Sequence, residues 1–464
     1  MLLQIAFTKF WTIHREWDFY LFPLYIITII SFGYVIQNKY IRDKPEYKYF
    51  MYGLMFKIIG VLYFTYIYTF HYYGGDTTNY FQAANCMVNL MYKHFDIYIK
   101  LMMGDIRMEN ITYFDQFTGW PMYSNKPNSF AIARFSSIFV FLGFQSYYIS
   151  SILIATITYS GVWKLFQVFI KEYPKYIGAC AVAILFMPSV AFWGSGITKD
   201  SYMLAALGWF VYGFYNFVKE KFTMANIKYI IQMLFAIYIM MAIKPFNFYA
   251  MLICVGLWYA FEYIGRVSNT VIKILLYPII FTVVISAGIY IFAMLGSVAG
   301  GYYSSIDGML NHAVVVQQDL TREEYGDNSF DIGKFDPTIA GIIGKLPAAI
   351  NAGLFRPYPW EANNILMLIS AAENVFLFSL TVFTLFSVGP LYFFKSFTSK
   401  PYIMMLCLVF SLLFAFSIGL VTANFGALVR YKIPLVPFYV AAFLVMYYSH
   451  KDKNQAKREE TVFD

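Results

Sequence analysis

Apolar residues run along this chain in continuous blocks of about twenty, separated by short polar segments. A block of that length covers a hydrocarbon core of about 30 Å when it is helical. A barrel strand would instead alternate apolar and polar residues over about ten positions. The blocks do not alternate, so helices satisfy their backbone polar groups. The pattern predicts crossings at 18–37, 52–71, 146–170, 175–194, 200–218, 226–243, 247–264, 271–297, 365–390, 402–423 and 427–449. The run 130–143 is short, contains Arg134 and is followed at once by another run. It is expected to lie at the interface or dip into it. The fold class is therefore all-α: a polytopic transmembrane bundle of about ten or eleven helices.

The basic residues orient the bundle. HKDKNQAKR at the C-terminus, FFKSFTSK, RVSNTVIK, KEKFTMANIK, KEYPK and NKYIRDKPEYK fall on one side if 130–143 does not cross. The positive-inside bias makes that side cytoplasmic, so the net charge of +8 reflects loops facing the cytoplasm and not nucleic acid. The complementary segments are then external. The two large ones are 71–129 and 298–364, the latter acidic at Asp307, Asp319, Glu323, Glu324, Asp327, Asp331 and Asp336. A single membrane domain spans 1–450, and 451–464 is a charged cytoplasmic tail. The N-terminal twenty residues lack the apolar core of a signal peptide and suit an interfacial helix anchored by Trp11 and Trp17. Composition agrees: 60% of residues are hydrophobic and 13% charged, against roughly a quarter charged in soluble domains. Cys86, Cys180, Cys254 and Cys407 have no metal-ligand spacing and suit core packing. No P-loop or HExxH string is present.

Ionisable groups at membrane depth cost about 2.5–3.5 kcal/mol each on insertion scales and need a reason to be there. In GGDTTNY, Asp76 follows two glycines at a helix exit. It suits a general base, with a divalent metal at Asp76 left open; the structural alternative is a helix cap. In GSGITKD, Lys199 and Asp200 open a helix and suit phosphate binding, against a local Lys–Asp pair with an Asp cap. Lys244 ends a helix, where a cation also complements the dipole. In RPYPWEANN, Arg356 offers a fork for phosphate oxygens and Trp360 a face for sugar rings. Glu361 is the structural partner for Arg356 there. In TANFGALVRYKIPLVPF, Asn424 and Gly426 form a turn, and Arg430 with the adjacent Tyr431 lies about one helical turn further on. Glu373 is buried in a preceding helix and is expected to pair with Arg356 or Arg430.

GGDTTNY in a long external segment, then KPNSFAIARFSSIFVFLG, MPSVAFWGSGITKDSY and a late TANFGALVRYKIPLVPF, occur in an order that resembles GT-C-type membrane glycosyltransferases and the related polysaccharide polymerases of bacterial cell envelopes. The resemblance implies a GT-C-like bundle in the bacterial inner membrane that uses a polyprenyl-phosphate-linked sugar or oligosaccharide at the external face. It implies Asp76 as base or metal ligand, and Arg356 and Arg430 as holders of a lipid diphosphate. Lys199, Asp200, Lys244, Trp360, Glu361, Asn424 and Tyr431 would line the substrate. Envelope biosynthesis proteins and the bilayer are the implied partners. One acidic residue in GGDTTNY, in place of a pair, favours the metal-independent, polymerase-like variant. Two rivals stand beside this reading: a transporter or flippase for a lipid-linked glycan, and a non-enzymatic membrane subunit of an envelope assembly or secretion complex.

Overall fold

The computed structural model describes residues 15–220, 223–299, 308, 315, 329–333, 336 and 338–463. Trp11, His312, Asp307, Asp319, Glu323, Glu324 and Asp327 lie outside the described residues. Every described element is helical, apart from an isolated antiparallel bridge between Ser329 and Asn424. The chain divides into two compact units, one made of Met1–Val168 and Val190–Pro245, the other of Phe169–Ser189 and Phe246–Asp464.

The first unit opens with α1 (Asp18–Tyr40) and α2 (Phe50–Tyr66), the latter continued by a π turn over Ile67–His71. Gly33 of α1 is the close approach between the two, because a Cβ there would sit 2.7 Å from the Met51 sulfur. Most of the expected interfacial helix lies outside the described residues; Trp17 directly precedes α1, and its indole N–H donates to the Phe144 carbonyl at 3.0 Å. Next come α3 (Asp76–Lys93), α4 (Phe95–Met102), α5 (Pro127–Leu142) and α6 (Tyr147–Glu172), which continues into the second unit at Phe169. The 130–143 run is a packed helix, α5, lying against α3. Its Arg134 is 5% exposed and donates to the Leu101 carbonyl at 3.0 Å, supplying the partner that the end of α4 lacks.

Two more elements follow the second-unit helix α7 (Ile177–Leu185): α8 (Lys199–Lys219) and α9 (Ile227–Ile243). The backbones of α6 and α8 meet at Gly161 and Gly208, where a Cβ on Gly208 would lie 2.0 Å from the Gly161 carbonyl oxygen. Small residues at such crossings let membrane helices pack backbone to backbone.

In the second unit, α10 (Pro245–Ile264), α11 (Thr270–Ala299), α12 (Leu346–Phe355), α13 (Ile365–Thr398), α14 (Ile403–Val421), α15 (Phe425–Tyr431) and α16 (Val436–Phe463) follow in order. The charged 451–464 stretch is helical up to Phe463, as a continuation of α16. Close packing of α12 on α14 depends on Gly353 and Gly419. A Cβ on Gly419 would fall 1.9 Å from the Ala349 carbonyl oxygen, which is backbone and cannot step aside. We expect Gly419→Ala to cost about 3 kcal/mol through forced separation of the two helices. Gly344→Ala should be nearly neutral, since nothing lies within 4 Å of its would-be Cβ. Thermal melting of the two variants in detergent checks this; equal melting temperatures would show that the crossing tolerates a methyl group.

Among the described residues, six helices are long and apolar enough to cross a membrane, or seven if the pair Phe425–Tyr431 and Val436–Ala456, bent by 61°, is one span. Three of the expected runs, 175–194, 226–243 and 200–218, are not among them, for identifiable reasons. The 175–194 run is broken into α7 and the short helix Pro188–Phe192. Pro188 removes a donor and favours a fresh helix start. The 226–243 run gives α9, which has 17 residues. The 200–218 run forms α8, long enough but too polar to pass as a span.

Candidate functional site

The first cluster lies in the first unit, where α3, α5, α8 and α9 begin or end. Gly75 caps α3 with φ +145, a conformation open to glycine, and its N–H donates to the Thr78 hydroxyl at 3.0 Å. Asp76 is therefore the first residue of α3 and not its cap, and its carboxylate is exposed. The Tyr123 hydroxyl donates to it at 3.2 Å and accepts from the Asn79 amide at 3.4 Å. Burial, then the Asp76 charge, pushes the Tyr123 phenol above its ordinary pKa, so it remains a donor near neutral pH. The connecting segment that carries Tyr123 is held by ion pairs. Lys93 beside Asp115 lowers that carboxyl to about 2, and Arg107 grips Asp105 through two nitrogens at 2.7 and 2.8 Å.

Lys199 and Asp200 do not pair with each other, and Asp200 is not the cap of α8. Thr198 is the cap, accepting from the Ser201 N–H at 3.3 Å. The Lys199 ammonium donates to Ser129 at the start of α5, 2.9 Å away. Asp200 is 5% exposed and accepts from Lys244 at 2.7 Å, so the end of α9 is tied to the start of α8. Lys199 lies within electrostatic reach of Lys244, Asp200, Asp76 and Lys126. Four sequence candidates from three separate segments, Asp76, Lys199, Asp200 and Lys244, thus gather into one cluster. It brings together the exposed Asp76 carboxylate, the Asp200 carboxylate paired with Lys244, and the Lys199 and Lys244 ammonium groups, with Lys126 as a third cation within electrostatic reach.

Beneath this cluster lies a residue that was not singled out in the sequence. Lys57, 4% exposed near the middle of α2, donates to the Gly194 carbonyl in the GSG turn that leads to Lys199. The rule that flagged Asp76, an ionisable group inside an apolar run, flags Lys57 equally.

The second cluster lies in the second unit. Arg356 is held by Glu361, with Nε 3.0 Å from Oε1 and 3.2 Å from Oε2. Its guanidinium sits over Phe330 at 4.6 Å and Phe425 at 5.5 Å. Glu361 also accepts from the Tyr358 N–H at 2.9 Å. That brace presents Tyr358 and Trp360 stacked at 4.9 Å, with Trp360 80% exposed. Asn424 caps α15, its side-chain oxygen accepting from the Ala427 N–H at 3.2 Å. Arg430 donates to the Gly426 carbonyl at 3.2 Å, and the half-buried Tyr431 ends α15.

Glu373 does not take Arg356, which is engaged by Glu361. Its carboxylate instead receives the Ser189 N–H at 2.9 Å and the Ser189 hydroxyl. The buried cation near it is Lys432, also missed in the sequence. Lys432 donates to the carbonyls of Leu354 at 3.3 Å and Arg356 at 2.7 Å and to the Asn374 side-chain oxygen at 2.8 Å. Cys180, Cys254 and Cys407 are buried and Cys86 partly so, all four unbridged. Among the described residues, no three His, Cys, Asp or Glu side chains gather as a metal-binding group.

Comparison of the chain with protein-family models, with curated proteins and with solved structures finds no match.

Proposed function

We propose that this chain is an integral-membrane glycosyltransferase or oligosaccharide-repeat polymerase that draws on a lipid-(di)phosphate-linked sugar at the external face. The observation that carries the reading is the exposed Asp76 carboxylate beside the Lys199, Lys244 and Lys126 cations. Transfer of a sugar from a lipid phosphate needs both. Asp76 takes the proton of the acceptor hydroxyl as its oxygen bonds to the anomeric carbon. The bond from that carbon to the phosphate oxygen breaks, and the departing phosphate gains negative charge. Lys199 and Lys126 offset that charge, while Lys244 holds Asp200 and keeps α8 and α9 in register. In the second unit, the Tyr358–Trp360 platform supplies a recognition surface for a sugar face, and Arg430 one for phosphate oxygens.

A transporter for a lipid-linked glycan is the second reading. The buried Lys57, Lys432, Glu373 and Asn374 favour it, because moving a charged headgroup requires polar groups within the helical core.

A deletion strain complemented with wild-type chain or Trp360→Ala separates the two. Under the transferase reading, the deletion loses long polymer and accumulates lipid-linked precursor on the external side. Trp360→Ala, which removes a largely exposed ring stacked on Tyr358, then raises the apparent KM roughly five- to tenfold while the chain accumulates normally. Precursor trapped on the cytoplasmic side would favour transport and sink the transferase reading.

A further inference from the structure

Within the second unit, a cleft of about 390 Å³ opens where three stretches of chain converge: 173–176 after α6, 392–404 from the end of α13 into α14, and 446–456 on α16. Its volume falls in the range of small-molecule sites, about 300–1,000 Å³. Four lysines line it, Lys175, Lys395, Lys400 and Lys453, against one carboxylate, Asp452, a surplus of three positive charges. Asp452 is already engaged, accepting from the Tyr176 hydroxyl at 2.9 Å. It therefore braces the wall of the cleft and is poorly placed to neutralise all four ammonium groups. Lys453 is held over the Tyr392 ring at 5.1 Å, which fixes its position without cancelling its charge. Met404 and Met446 give the cleft apolar surface beside these cations.

The positive-inside bias accounts for lysines in the three segments. It does not account for their meeting around one concavity with apolar surface inside it. We propose that this cleft is a binding site for a phosphate-bearing anion: either the phosphomonoester headgroup of a lipid in the same leaflet or a soluble phosphate compound. Both present the same dianion to the four ammonium groups, and the methionines suit whatever the phosphate is attached to. This site is independent of the transferase reading, since its segments contain none of the residues assigned to that chemistry.

The test uses the full chain, purified into nanodiscs. Sodium pyrophosphate is titrated in solution against discs of phosphatidylcholine, and discs containing phosphatidic acid are compared with discs containing phosphatidylglycerol. The variant K395Q/K400Q/K453Q removes three of the cations. A control, K39Q/K44Q/K48Q, removes equal charge from a loop of the first unit. Each lysine near such an anion contributes about fivefold, so the cleft variant should bind pyrophosphate roughly 100-fold more weakly while the control binds as wild type. Pyrophosphate saturation without a phosphatidic acid preference assigns the site to a soluble ligand. A phosphatidic acid preference over phosphatidylglycerol, lost in the cleft variant, assigns it to a lipid headgroup. If the triple variant fails to fold, the single variants K395Q and K453Q are each expected to weaken binding about fivefold. Absence of binding by wild type, or equal losses in cleft and control variants, overturns the proposal.

Discussion

Replacing Asp76 with Asn should lower the rate of sugar transfer by at least about 100-fold while leaving the chain folded in the membrane. The size follows from the role. A positioned general base contributes roughly 10²–10⁴-fold, and Asn keeps the shape of the side chain while losing its basicity. Folding should survive because Asp76 is exposed and is not the cap of α3; Gly75 and Thr78 fill that role. Asn can still accept from Tyr123, so the connecting segment should stay in place. The measurement is the initial rate of consumption of a lipid-linked sugar by purified chain in proteoliposomes, with the melting temperature recorded on the same sample. An unchanged rate would remove Asp76 from the mechanism. A lowered rate with a collapsed melting temperature would show instead that the residue is structural.

The first cluster was legible in the sequence because its members obey one rule, that charge inside or beside an apolar run needs a reason. Asp76, Lys199, Asp200 and Lys244 were all found that way. Their pairing was not legible. Adjacency suggested that Lys199 would serve Asp200, but Lys199 reaches Ser129, 70 positions away, and Asp200 takes Lys244, 44 positions away. Arg356 with Glu361 was legible because that pair is local, five positions apart. Glu373 was assigned an arginine on charge alone, whereas Ser189, 184 positions away, provides its hydrogen bonds. The runs 175–194 and 226–243 were expected to cross for a related reason. A run of apolar residues reads the same whether it faces lipid or the interior of the protein, and only length and breaks tell the two apart. Pro188 divides the 175–194 run, which the apolar pattern alone joins into one crossing. Lys432 was passed over because it sits two positions from Arg430, which looked the better phosphate ligand.

Lys432 also gives a large expected stability effect. It is 3% exposed, and its ammonium reaches three acceptors 58 to 78 positions away in sequence: the carbonyls of Leu354 and Arg356 and the Asn374 side-chain oxygen. Asn374 in turn donates to the Pro357 carbonyl at 2.9 Å. The end of α12 and the start of the Arg356–Glu361 brace are thus pinned to α13 through one cation. Lys432→Met removes the buried charge, and the relief of its desolvation offsets part of the loss. Against that stand three stranded acceptors, each costing about 1–3 kcal/mol when buried without a donor, and a Glu373 left without its nearby cation. The acceptors outnumber the single charge removed, so the net change should be a destabilisation on the order of 3 kcal/mol. Lys432→Met should melt several degrees below wild type, and limited proteolysis should reach the 356–361 segment faster. Combining it with Asn374→Leu should add much less than the sum of the two single effects, since both cut the same pin. Strictly additive losses would mean that Lys432 and Asn374 act separately, and that some other contact holds α12 against α13.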